Sequence, residues 1–135
     1  MKLLLLLFTI ATPLHAQTWT HQGAPAQIVE LFTSEGCSSC PPADEFLREL
    51  NNPDVLWENI IPVAFHVDYW DYLGWKDPYA QPSFTLRQQL YRKYGVVNSV
   101  YTPGFVVDGK EWRGFFNWLD RTLPSPSKVS AKPLT

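Results

Sequence analysis

The chain has 135 residues, 45% of them apolar, with a mean hydropathy of -0.17 and a formal charge of -2. That is the size and composition of one globular domain, neither disordered nor collagen-like. With 11 Lys and Arg against 13 Asp and Glu, the chain lacks the basic excess that nucleic acid requires, so nucleic acid is not an expected partner. The two cysteines cannot build a disulfide-dense scaffold. Only three positions apart, they close too short a loop to staple a fold, which points to a chemical purpose.

At the N-terminus Lys2 supplies a positive charge, Leu3 to Ala11 is an apolar run, and Pro13 breaks it before Leu14-His15-Ala16. Residues 1–16 therefore read as a signal peptide cleaved after Ala16, and the expected location is periplasmic or secreted. The competing reading is an uncleaved anchor, but the run falls well short of the ~20 residues that a membrane span needs. No membrane span is expected once the leader is removed.

The mature domain is expected over 17–123. Gln27 to Thr33 is a β-branched and aromatic run between Pro25 and the turn-rich Ser34-Glu35-Gly36, which predicts a buried strand. After Cys40, Pro41 and Pro42 are tolerated only at a helix start, and Ala43, Phe46, Leu47 and Leu50 follow at helical spacing until Asn51-Asn52-Pro53 stops the pattern. Residues 60–67 form a second short apolar run that reads as a strand, and a helical crossover makes the two strands parallel. An aromatic loop covers 68–81. Pro82 and Ser83 open a helix carrying Leu86, Leu90, Tyr91 and Tyr94, which Gly95 closes. Residues 104–107 and 110–113 flank Asp108-Gly109, a strong hairpin signal. A final helix is expected over 115–123, from the repeat at 115, 118, 119 and 123. Pro, Ser and Lys dominate 124–135, which predicts a disordered tail.

This order of elements is that of a thioredoxin-like α/β core, a four-stranded mixed sheet flanked by helices on both faces. The local sequence agrees. Glu30 to Asp44 (ELFTSEGCSSCPPAD), His66 to Pro78 (HVDYWDYLGWKDP) and Thr102 to Gly109 (TPGFVVDG) resemble a family of exported bacterial proteins known as a domain of unknown function with a thioredoxin-like fold. The resemblance implies fold and compartment more than activity. Family members are longer, with a further β-rich region after the thioredoxin-like part, so the chain is expected to be a C-terminally truncated member.

The central constellation is Cys37-Ser38-Ser39-Cys40, between the end of a strand and the first turn of a helix. Thiol–disulfide exchange needs a thiolate, and a helix N-terminus favours that anion. Cys37 is the expected nucleophile and Cys40, one turn further in, the resolving thiol; no organic cofactor is needed. The resemblance places Pro103 at the cis-proline position facing the pair, with Thr102 as a backbone contact for extended substrate. An X-Pro bond is the linkage that takes cis cheaply. Ligands collect at the carboxyl ends of parallel strands, the edge that the 66–79 segment also reaches. Trp70 and Trp75 are candidate substrate contacts there, against the alternative that the aromatic loop simply caps the core. His66 and Glu30 are candidates for proton transfer, although a lone His in an apolar strand is more often a packing residue.

Several features depart from plain thioredoxin. Gly36 stands where thioredoxins carry Trp, Ser-Ser replaces Gly-Pro, and the register for a buried carboxylate beneath the pair falls on Leu31, with Glu30 on the opposite pleat. Glu35 opposes thiolate formation at Cys37. Three function classes follow. They are an envelope thiol–disulfide oxidoreductase acting on protein or peptide thiols with a redox partner, a binding module with a structural disulfide, and copper or zinc handling through Cys37, Cys40 and His66. Too few ligands weaken the last, and no metal ligand is assigned.

Overall fold

The computed structural model describes residues 24–117 and 119–126. The expected leader at 1–16, His15, His21 and most of the expected tail lie outside the described residues. Four strands and two α-helices follow in the order β1 (Gln27–Thr33), α1 (Pro41–Glu49), β2 (Ile60–His66), α2 (Pro82–Lys93), β3 (Gly104–Val107) and β4 (Lys110–Trp112). The strands form one mixed sheet in the order β2-β1-β3-β4. β1 and β2 are parallel, and β3 runs antiparallel to both β1 and β4.

Strand β1 is central, which is why its sequence is apolar on both pleats. Val29 and Leu31 face α1 and pack with Ala43, Phe105, Val107 and Phe115; Phe46 from α1 meets the rings of Phe105, Trp112 and Phe115. Phe32 points to the other side, into a cluster with Val67, Val97 and Val106 that Phe65, Tyr69, Trp70 and Tyr91 complete. Glu30 shares that second face. Its buried carboxylate is paired with Arg87 of α2, whose Nε donates at 2.9 Å, and it accepts the Tyr91 hydroxyl at 2.9 Å. Helices therefore cover both faces, as expected.

The Asp108-Gly109 turn has positive φ at both residues (47° and 74°), the twist that suits a two-residue hairpin. Asp108 also ties the hairpin to β1, accepting the Ile28 N–H through Oδ1 at 2.9 Å. Gly95, at φ 74°, ends α2 in the left-handed region.

Two expectations are corrected. In α2 the residues turned toward the sheet are Phe84, Arg87, Gln88 and Tyr91, whereas Leu86, Leu90 and Tyr94 are exposed. The polar residues belong inside because their partners are there: Gln88 accepts the Tyr69 hydroxyl at 3.0 Å and donates to the Tyr101 carbonyl. The second correction is the final helix. Instead of a helix over 115–123 there is one 3-10 turn, Gly114–Phe116, after which Asn117 is extended. Asn117 Oδ1 accepts the Leu119 N–H and Asp120 Oδ1 accepts the Thr122 N–H, side-chain bonds that take donors from a helix. Trp118, part of the expected repeat, lies outside the described residues. The chain then reaches Pro124, whose carbonyl accepts from Gln27 Nε2 at 2.9 Å, so the start of the expected tail is anchored beside β1.

Candidate functional site

The site is built where β1 ends. After Thr33 the chain turns through Ser34-Glu35-Gly36, the Cys37 N–H donates to the Ser34 carbonyl, and the Cys40 N–H donates to the Cys37 carbonyl. Cys37 and Cys40 form a disulfide with a Cα–Cα separation of 5.4 Å. Cys40 is the N-cap of α1, and its carbonyl accepts the N–H groups of Ala43 and Asp44. Both half-cystines are buried, Cys37 to 3% exposure and Cys40 to 0%. Cys37 is still the less covered of the two, and its Sγ lies 3.6 Å from the Ser39 hydroxyl.

An acidic and imidazole network backs the pair on the β2 side. His66 ends β2 in register with Thr33 of β1. Its Nδ1 is 2.7 Å from Asp77 Oδ2, and its ring packs on Tyr79. Asp77 is 1% exposed. It also accepts the N–H of Glu35 and the N–H of Tyr79, each at 2.9 Å. Burial alone would raise the Asp77 pKa, but these donors outweigh it and hold the carboxyl below its ordinary value. Asp44, in the first turn of α1, accepts the Thr33 hydroxyl at 2.6 Å. Its pKa is raised by partial burial, and the Thr33 bond only partly offsets that.

On the other side of the pair, the Trp70 indole N–H donates to Thr102 Oγ1 at 2.8 Å, and the Thr102-Pro103 bond is cis. Trp70 also explains Gly36. A Cβ at that position would lie 3.0 Å from the Trp70 Cβ and 3.3 Å from its carbonyl, so the loop after β2 occupies the space a side chain would need. Trp75 is exposed and donates through its indole to Glu35 Oε2 at 2.7 Å. Between α1, the 101–103 segment and the Gly114–Phe116 turn runs an open cleft of about 440 Å³. Ser39, Pro42, Thr102, Pro103, Arg113 and Phe115 contribute to its lining.

The structure thus brings Cys37, Cys40, Thr102, Pro103 and Trp70 to one edge, with His66 and Trp75 beside them. Glu30 does not join. The pleat sends it to the α2 face, where Arg87 and Tyr91 hold it. Sequence reading missed Asp77, the centre of the hydrogen-bond network, and Arg113 and Phe115 of the cleft. Among the described residues, no cluster of three or more His, Cys, Asp or Glu is arranged to hold a metal ion. Also among them, no helix is long and apolar enough to cross a membrane.

Comparison with known proteins places this geometry. A protein solved by X-ray crystallography from Agrobacterium tumefaciens is similar, with 41% sequence identity and a TM-score of 0.56. The match covers 73% of this chain and 45% of that one, so this chain spans less than half the length of that relative. No curated protein matches the chain. The model of a family described as a protein of unknown function, DUF1223, matches residues 28–121. With the three sequence motifs and the sheet topology in agreement, the chain belongs to the DUF1223 family.

Proposed function

We propose that the protein is a thiol–disulfide oxidoreductase of the bacterial cell envelope with a thioredoxin-like core, acting on protein or peptide thiols. The observation that carries this reading is the position of the disulfide. It bridges the turn at the C-terminal end of β1 to the first residue of α1, and Ser39 and Pro42 beside it share a cleft with Thr102 and Pro103. Reduced Cys37, as thiolate, attacks a substrate disulfide sulfur. That forms a mixed disulfide and releases one substrate thiolate. Cys40, deprotonated, then attacks Cys37 Sγ, restores the internal disulfide and releases the second substrate thiol. Two electrons pass from the protein dithiol to the substrate, and a redox partner returns them. The reverse sequence oxidises a substrate dithiol. The backbone at Thr102 offers an extended substrate strand-like pairing. His66, whose Nδ1 is hydrogen-bonded to Asp77, is the proton-transfer candidate at this edge. Export is supported by the charged and apolar pattern of residues 1–16.

The burial of both half-cystines favours a second reading, a binding module whose disulfide is structural. One experiment separates the two. The folded protein is equilibrated with graded dithiothreitol or glutathione, and free thiols are alkylated and counted by mass. In parallel, Cys40→Ser is incubated with a disulfide-bearing peptide. Exchange predicts that both thiols titrate without denaturant and that Cys37 is trapped in a mixed disulfide. A disulfide that reduces only after denaturation, with no trapped adduct, removes the enzyme and leaves the binding module.

A further inference from the structure

We propose that the cleft beside the disulfide selects extended cysteine-bearing peptides with an acidic residue on the Arg113 side of the cysteine. This deepens the exchange reading above and rests on it. The floor of the cleft is apolar, from Pro42, Pro103, Phe115 and Phe116, which suits the side chains of an extended segment. Its charges are two guanidiniums, Arg113 and Arg121, and no carboxylate is among the described lining residues.

Arg113 is the more exposed of the two cations. Its side chain is 63% exposed, and its guanidinium lies over the rings of Tyr101 and Phe116, 5.4 and 5.6 Å from their centroids. The neighbouring acid, Glu111, is 3.6 Å away, but its side chain is only 9% exposed. That carboxylate is occupied by the Tyr101 hydroxyl at 2.7 Å and the Asn98 amide at 2.9 Å. Arg113 also donates to the Tyr101 hydroxyl at 3.4 Å, and of this ion pair Glu111 is the covered member and Arg113 the exposed one. Arg121 is stacked 4.7 Å from the Phe115 centroid in the same lining, and the proposed selectivity rests on Arg113 alone. Across the disulfide the sign reverses, with Glu35, Asp44 and Asp77 gathered around the end of β1 and His66. A peptide crossing the pair therefore runs from the acidic groups at the end of β1 to the exposed guanidinium of Arg113. An acidic flank on the Arg113 side meets a planar donor able to take a carboxylate through two bonds.

The test uses three disulfide-bearing peptides that differ only in the residues flanking the cysteine: Asp, Ser or Lys. Exchange kinetics are measured with wild type, Arg113→Gln and Arg113→Glu, each checked for an unchanged melting transition. The expected result is a preference for Asp over Lys of about three- to fivefold in kcat/KM, the range of an exposed ion pair, carried by KM and reduced by added salt. Arg113→Gln should bring the peptides near parity, and Arg113→Glu should favour Lys. Parity in wild type, or a preference unchanged by both substitutions, overturns the proposal. If no peptide exchanges at all, the exchange reading fails. Equilibrium binding of the same peptides with Ser in place of Cys then judges the cleft. Loss of Asp preference in Arg113→Glu upholds its charge selectivity, and identical binding by all peptides overturns it.

Discussion

Asp77→Asn tests the network behind the disulfide most directly. The carboxylate is 1% exposed and accepts three hydrogen bonds, from the N–H groups of Glu35 and Tyr79 and from the His66 side. Asparagine keeps one acceptor oxygen and turns an NH2 group toward a donor. At least one of those bonds is lost and one backbone N–H is left facing another donor. Hydrogen bonds to a charged group are worth about 1.5–3 kcal/mol, so a loss of about 2–3 kcal/mol is expected at pH 7. The sign with pH follows from the depressed Asp77 pKa. A carboxylate held below its unfolded value, roughly 3.9, contributes stability that is present above that value and lost as pH falls through the folded one. Asparagine does not titrate, so the gap between wild type and variant narrows as the pH drops below about 4. Urea unfolding at pH 7, 5 and 3 measures it. A gap below about 0.5 kcal/mol at pH 7, or one constant down to pH 3, refutes the assignment of charge-assisted bonding to Asp77.

Gly36→Trp, which restores the residue thioredoxins carry, places a side chain 3.0 Å from the Trp70 Cβ. It should cost about 1–3 kcal/mol in thermal or urea melts, partly recovered when combined with Trp70→Ala; no cost would mean that the 36–70 contact does not decide residue 36. Arg87→Met leaves the buried Glu30 carboxylate with Tyr91 alone. Because Arg87 is itself half exposed, the cost is about 2 kcal/mol rather than the larger penalty of a fully buried pair. The loss should be absent in the Glu30→Gln background, where no buried charge is left without its partner. The potential of the Cys37–Cys40 pair, from equilibration with glutathione or dithiothreitol, should lie nearer the roughly -270 mV of thioredoxin than the roughly -120 mV of DsbA; a value at the oxidising end contradicts the electrostatic argument.

The parts of the fold that were legible in sequence are those decided locally. The β-branched run of β1, the Pro-Pro start of α1 and the Asp108-Gly109 turn carry their conformations in a few adjacent residues. The inward face of α2 was not legible, because Arg87 and Gln88 are turned toward the sheet only through Glu30, Tyr69 and Tyr101, partners distant in the chain. The apolar repeat at 115–123 suggested a helix, but the carboxamide and carboxylate of Asn117 and Asp120 capture backbone donors that a helix would need. The same division holds at the site. Cys37, Cys40, Thr102, Pro103 and Trp70 could be gathered on one edge from strand direction alone. Asp77 could not, since nothing in Lys76-Asp77-Pro78 marks a buried acid; its only cue is a long loop that must satisfy its own backbone donors.

The character of the pair follows from what surrounds the amino end of α1. A helix N-terminus stabilises an anion chiefly through the unpaired N–H groups of its first turn. Here the first two helical residues are Pro41 and Pro42, which have no N–H, and the next two amides are bound to the Cys40 carbonyl. The dipole remains, but the donors that would make it directional at Cys37 are missing from those positions. The Ser39 hydroxyl near Cys37 Sγ offers one neutral contact. Against it stand Glu35, two residues before Cys37, and Asp44, four residues beyond Cys40 on the same helix. Positive charge is instead placed across the cleft on Arg113, where it is stacked on aromatic rings and largely exposed. Under the exchange reading proposed above, a cation there acts on a substrate more than on the resting thiol. The same reading then has the free protein favouring the disulfide over the dithiolate, with attraction concentrated on the substrate, where it would steer association and select sequence.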